Sequence, residues 1–152
     1  MIAPAYRVAL LVVLADQISK AWALQHLSGR GIQPLLPGLL QQQLVFNTGA
    51  AFSMLTGNSL LLGLVSAGVA VGLAIWIHTA GPLRRLQWLG LGLLLGGAIG
   101  NGLDRWRLGH VVDFLELVPV AFPVFNGADV AINLAVACLL LDALKRHGAR
   151  QD

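Results

Sequence analysis

Long apolar stretches alternate with short polar ones along this chain, and four of the apolar stretches are long enough to cross a bilayer. A spanning helix needs about 20 predominantly apolar residues. Residues 5–27, 58–78, 86–104 and 127–145 meet that length, and no charged side chain lies between Asn58 and Ile77. None of the four segments alternates apolar and polar positions with a period of two, so helices are the structure that satisfies their backbone in lipid. The connections are unequal. Residues 28–57 are too long for a simple turn and hold Gly29, Gly31, Pro34, Pro37 and Gly38 ahead of a strand-like run from Leu39 to Phe46. Residues 105–126 hold Asp113, Glu116, Pro119 and Pro123. The pattern predicts an all-α membrane protein, with residues 1–152 as one domain. A four-helix transmembrane bundle carries a small extended, β-like platform over its helix ends.

Composition agrees. Hydrophobic residues make up 57% of the chain and charged residues 11%, with a mean hydropathy of +0.75, whereas soluble domains carry about 25% charged residues. Ten Lys and Arg against seven Asp and Glu leave a formal charge of +3. That excess is too small for a nucleic-acid footprint, and no basic stripe interleaved with aromatics exists, so nucleic acid is excluded as a partner. The excess reads instead as topology. Arg7, Arg84, Arg85, Lys145, Arg146 and Arg150 fall at one set of helix ends, which the positive-inside rule makes cytoplasmic, together with both termini. The platform then faces outward. Lys20, Arg30, Arg105 and Arg107 fall on the outer half, and all but Arg30 sit beside an acid or inside a candidate motif. The first apolar run resembles a signal peptide but lacks a convincing cleavage site, so it reads as a retained helix.

Glycine contributes 18 residues, and Gly68/Gly72, Gly92/Gly96 and Gly96/Gly100 are each spaced by four on apolar helices. Small residues at this spacing let helix backbones approach closely. Packing inside one chain is the simpler reading, giving a monomer; a homodimer face is the alternative. Cys138 lies in an apolar run and reads as small packing. His26, His78, His110 and His147 are scattered over both sides, and no paired-Cys or His-Glu-x-x-His spacing exists. Neither a metal site nor a cofactor is expected. A nucleophile elbow and a phosphate-binding loop are also missing.

The candidate chemistry gathers in a few phrases. An ionised Asp near the middle of a bilayer costs on the order of 2.5–3.5 kcal/mol, so such residues are functional candidates. Asp16 and Lys20 are four apart and share a helix face, where they form a salt bridge or meet a polar group of a substrate. Asn47-Thr48-Gly49 opens a small-residue phrase that permits close backbone approach. Gly100-Asn101-Gly102-Leu103-Asp104-Arg105 closes the third span, where Arg105 caps the helix or holds a lipid phosphate or an Asp. Asn126 reads as the N-cap of the fourth span, which puts Asp129 at the third helical position. There a carboxylate completes a capping box on the favourable end of the helix dipole. Asp113, between Val111-Val112 and Phe114-Leu115, has no comparable structural role. Paired acids that share a proton are the minimum equipment for water-driven hydrolysis.

Together these phrases resemble the lipoprotein signal peptidases, or signal peptidase II, a family of bacterial membrane aspartic peptidases. The resemblance covers almost the whole chain: Asp16-Gln17-x-x-Lys20, Asn47-x-Gly49-Ala50-Ala51-Phe52, Gly100-Asn101-x-x-Asp104-Arg105, Val112-Asp113-Phe114 and Phe125-Asn126-x-Ala128-Asp129. It implies that Asp113 and Asp129 are the catalytic pair. It also implies that Asp16, Lys20, Asn47, Gly49, Asn101, Arg105 and Asn126 line or support the active site. Gly102 departs from the family, which usually has a larger apolar residue there, and this loosens packing near Asn101. The implied partners are membrane lipids and a prolipoprotein whose lipobox Cys carries diacylglycerol. The implied reaction is cleavage on the N-terminal side of that Cys, in the bacterial inner membrane. Two other classes stay open from the residues alone. One is a small proton-coupled transporter using membrane carboxylates, and the other is a non-catalytic assembly subunit using the glycine faces.

Overall fold

The structure, a computed structural model, describes residues 3–49 and 57–148. Four helices are long and apolar enough to cross a membrane: α1 (Ala3–His26), α2 (Ser59–Thr79), α3 (Arg85–Leu108) and α4 (Gly127–Gly148). At 1.5 Å per residue they span about 30–36 Å, matching a hydrocarbon core of about 30 Å. The chain is a multi-pass membrane protein, and its outer helix surfaces are apolar as lipid requires: Leu10, Leu14 and Ile18 of α1, Leu64 and Ile75 of α2, and Leu140 and Leu144 of α4 are all exposed.

Helix α3 is the hub, packing against each of the other three. Its glycines make this possible. A Cβ on Gly96 would lie 2.6 Å from Val12 Cβ and 2.8 Å from the Ala9 carbonyl oxygen, and one on Gly97 would lie 2.6 Å from Ile132 Cγ1. Gly92 and Gly100 meet α1 in the same way, and Gly90 meets α4. The Gly92–Gly96–Gly100 stripe is therefore consumed inside one chain. Gly68 and Gly72, by contrast, have nothing near them. Below the stripe, Ala5, Ala9, Leu73, Ile77, Leu91 and Leu95 form the apolar core.

One boundary and one packing contact differ from those expected. Helix α3 continues past Arg105 to Leu108 and stops at Gly109, whose φ of 76° gives a left-handed cap. Asp104 pairs with Lys20, and Arg105 and Arg107 donate to the Gly49 carbonyl and the Gln17 amide oxygen, so the polar residues at its end do not break it; glycine does. Gly102 faces α2 rather than the surroundings of Asn101: a Cβ there would meet Ser66 Cβ at 3.1 Å.

The two connections at one end of the bundle form a three-stranded antiparallel sheet, β1 (Gln33–Leu36), β2 (Leu40–Asn47) and β3 (Val111–Leu117), in that order. Strand β2 pairs with β3 in a register that sets Val45 opposite Asp113 and Asn47 opposite Val111, with an irregularity between Gln42 and Val45. The extra residue there is a β-bulge, a device that re-aims neighbouring side chains. Phe114 on β3 packs on Ala23 and Leu27 at the end of α1, which seats the sheet on the bundle.

Replacing Gly96 with Leu is expected to lower stability by about 1–3 kcal/mol or more through overpacking against α1. Gly68→Ala, on an open helix surface, is expected to be neutral or stabilising. Thermal unfolding of both variants in detergent checks the pair, and equal losses would contradict the packing described.

Candidate active site

The site is built outward from Lys20. In the first span its ammonium and the Asp16 carboxylate share a helix face four residues apart, and they pair at 2.8 Å. Lys20 Nζ also lies 2.9 Å from Asp104 Oδ2 and donates to Asn101 Oδ1 at 3.0 Å, both on α3. An ammonium has three donors, and all three are used inside the protein, where Asp16, Lys20 and Asp104 are each no more than 3% exposed. Each acid then holds a further element. Asp16 Oδ1 accepts the Ala128 N–H, one of the unpaired donors at the start of α4, at 3.0 Å. Asp104 Oδ2 accepts the Val112 N–H of β3 at 3.1 Å. Gln17 completes the group, donating to Asp104 Oδ1 at 3.0 Å and to Asp16 Oδ2 at 3.2 Å. Gly100 leaves the space for the Asp16 carboxylate, since a Cβ there would lie 2.5 Å from Asp16 Oδ2.

Two asparagines carry this order to the remaining acids. Lys20 can only donate, so Asn101 turns its oxygen toward it and its amide nitrogen toward Asp129, reaching Oδ1 at 2.8 Å. Asn126 is the N-cap of α4: its Oδ1 accepts the Asp129 N–H and its own N–H donates to Asp129 Oδ2, both at 3.1 Å. That is the capping box expected from the spacing. With its oxygen so engaged, Asn126 Nδ2 donates to Asp113 Oδ1 at 2.6 Å and to Asn101 Oδ1 at 3.1 Å. Asn47 Nδ2 donates to Asp113 Oδ2 at 2.9 Å. This is a diagonal cross-strand contact allowed by the β2–β3 register. Asn47 is itself fixed by the Gly49 N–H on its Oδ1 at 2.9 Å.

The two acids differ in environment. Asp113 is 2% exposed. Burial pushes its carboxyl up to about 6, helped by the negative charge of Asp129 and opposed by the amides of Asn47 and Asn126 and by Lys20. Asp129 is half-buried in the first turn of α4, where the helix dipole favours negative charge. Both line one cavity of about 890 Å³. Asn47, Gly49, Asn101 and Arg105 share its polar end, and Val45, Phe46, Phe122, Phe125, Ile132 and Leu134 form apolar walls.

Asp16, Lys20 and Asn126 are absent from the cavity wall: they stand behind it and hold the residues that face it. Arg105 holds neither an Asp nor a helix end alone. Its Nη2 donates to the Gly49 carbonyl at 3.0 Å, its Nη1 reaches the Asn101 carbonyl at 3.5 Å, and its Nε is buried without a partner among the described residues. Ala50, Ala51, Phe52 and Ser53 lie outside the described residues. Gln17 and Asp104 are the supporting residues that sequence reasoning passed over. Asp104 carried the same signal as Asp16, a carboxylate on an apolar span, but sat where the helix was expected to end.

A family model described as "Signal peptidase (SPase) II" matches residues 8–145. Curated relatives called lipoprotein signal peptidase include one from Parasynechococcus marenigrum (strain WH8102), 53% identical over 96% of this chain and 95% of its own length. Another, from Gloeobacter violaceus, is 44% identical over 90% of this chain and 79% of its own length. Two solved structures, each described as a bacterial membrane enzyme determined by the in meso method, are 26% identical to this chain and cover 95% of it, with TM-scores of 0.88 and 0.85.

Lys20→Met strands the carboxylates of Asp16 and Asp104, and breaking a buried ion network by removing one partner costs about 3–5 kcal/mol. A loss of that size in detergent unfolding is expected, partly recovered by adding Asp104→Asn. A drop below about 1 kcal/mol would mean that the network is not formed as described.

Proposed function

This chain belongs to the signal peptidase II family, which removes signal peptides from prolipoproteins, and from that premise we propose that Asp113 and Asp129 are its catalytic pair. The observation that carries the proposal is two acids of different environment on one cavity, joined through Asn126 and Asn101. Burial raises Asp113, and carboxyls held in different surroundings can divide acid and base roles between them.

In the proposed reaction Asp129, at the positive end of the α4 dipole, is the base, and Asp113 carries the shared proton. Asp129 removes a proton from a water molecule as the water oxygen attacks the scissile carbonyl carbon. The Asp113 O–H donates to the carbonyl oxygen and polarises it. Collapse of the tetrahedral species breaks the C–N bond, and the departing amine takes a proton from the pair. One water is consumed and the pair returns to its singly protonated state, with no covalent intermediate. The bond cut is the one on the N-terminal side of the diacylglyceryl-modified Cys. A cavity that is polar at one end and apolar along α4 suits that amphiphilic substrate.

The sheet-bearing end is the outer one in this reading, in the bacterial inner membrane with both termini cytoplasmic. Arg84, Arg85, Lys145 and Arg146 at the other end support it. Arg84 there binds Asp142 through both Nε and Nη2, the former at 2.9 Å, tying α3 to α4. The alternative of a proton-coupled transporter finds no support in the family to which the chain belongs.

Asp113→Asn and Asp129→Asn are each expected to lower kcat by about 10²–10⁴-fold while the protein stays folded. The assay is cleavage of a diacylglyceryl-modified prolipoprotein in detergent, and substantial activity in either variant would refute the pair. The working form keeps its proton on Asp113, whose carboxyl is pushed up to about 6, so the alkaline limb of kcat/KM is expected to begin at that pH. Above it, the pair loses its proton and kcat/KM falls about tenfold per pH unit. A profile that instead rises through pH 6 would reverse the assigned roles.

A further inference from the structure

The apolar wall of the cavity carries one amide that the reaction above leaves unused. From Val130 to Leu141, α4 reads Val-Ala-Ile-Asn-Leu-Ala-Val-Ala-Cys-Leu-Leu-Leu, and Asn133 is the one carboxamide in it. Asn133 is exposed and lies on the cavity wall with Val130, Ile132 and Leu134. It is one turn past Asp129, about 6 Å farther along the helix axis and away from the sheet.

Its Nδ2 donates to the Asp129 carbonyl at 2.9 Å. Back-bonding of this kind is the ordinary way to accommodate a short polar side chain in mid-helix. Here it uses only one of the four hydrogen bonds that an amide can make. The second Nδ2–H and the Oδ1 have no partner among the described residues. The back-bond also aims the group, fixing the amide nitrogen on the side nearest Asp129. An unmet amide on a lipid-facing helix costs free energy, and polar residues at such places mark contacts with substrate.

The chemistry of the substrate narrows the contact. Acyl chains offer nothing to an amide, and a helical signal peptide has already paired its own backbone. A diacylglyceryl-modified Cys brings two ester linkages, which hang from the scissile amide by a few bonds through the Cys sulfur. With the scissile bond at Asp113 and Asp129, those esters extend along the apolar wall by about the length of one helical turn.

Resting on the peptidase reading above, we propose that Asn133 is a specificity-determining residue that donates its second Nδ2–H to an ester carbonyl of the substrate's diacylglyceryl group. Such a contact forms on binding and persists through the reaction, so it acts on KM rather than on kcat.

The test uses the full chain in detergent and two prolipoprotein peptides whose lipidated Cys carries either diacyl (ester) or dialkyl (ether) glycerol of matched chain length. An ether lacks the carbonyl oxygen. The wild-type protein is expected to show a KM about five- to tenfold lower for the ester peptide, the worth of one hydrogen bond, with equal kcat. Asn133→Leu is expected to raise the ester KM to the ether value and leave the ether KM and both kcat values unchanged. Three results would overturn the inference alone: wild-type protein that treats ester and ether alike, Asn133→Leu that still prefers the ester, or a kcat loss shared by both substrates. Folded wild-type protein that cleaves neither peptide would overturn the peptidase reading and this inference with it.

Discussion

A single buried ammonium, that of Lys20, sets the geometry on which the rest of the site depends. It faces Asp16, Asp104 and Asn101 at 2.8–3.0 Å. Without it, two carboxylates would stand unpaired inside a membrane protein. With it, their remaining lone pairs are available to hold backbone N–H groups of α4 and β3. These are the elements that carry Asp129 and Asp113. Such a network is weak evidence for net stability, because desolvation offsets most of the Coulomb gain. Its value lies in position: charges that are costly to bury tolerate few alternative arrangements, so they register four separate segments against one another.

The same constraint orients the amides. An asparagine by itself accepts either orientation, but one facing a group that only donates does not. Lys20 fixes the oxygen of Asn101, which sends its nitrogen to Asp129; the capping box fixes the oxygen of Asn126, which sends its nitrogen to Asp113. Both acids thus receive N–H groups whose direction was decided one residue farther back. This order also requires helices close enough for short side chains to meet. Gly96 and Gly100 bring α3 onto α1, and Gly97 brings it onto α4. A bundle spaced by larger residues would leave Asn101 short of its partners on both sides.

What was legible in the sequence was local. Four spans follow from length and hydropathy, Asp16 and Lys20 from i,i+4 spacing, and the Asn126–Asp129 capping box from a three-residue offset. The contacts that were not legible join distant residues. Asp104 finds Lys20 on another helix, and because Asp104 was unmatched in the sequence, the charges from 104 to 107 read as a helix end. The sheet register, the bulge in β2 and the contact of Asn47 with Asp113 depend on strand pairing that no local pattern encodes. For the same reason the residues that stand behind the cavity, Asp16, Lys20 and Asn126, were grouped with those on its wall. Motif membership shows that residues belong together, but not which of them faces the cavity.

Hydrolysis within a bilayer sets two opposed demands, and the structure separates them in space. Low polarity strengthens hydrogen bonds and charge interactions and lifts Asp113 toward neutrality, yet the reaction consumes water. The amides of Asn47 and Asn101 and the guanidinium of Arg105 provide polar groups to the cavity, while Val130, Ile132 and Leu134 make the α4 side apolar but for Asp129 and Asn133. Asp113 and Asp129, the pair proposed above as catalytic, line the same cavity as both groups of residues. The sheet is more than a cover. By pairing β2 with β3 it brings Asn47 to Asp113 and so supplies a hydrogen bond that restrains an acid raised by burial.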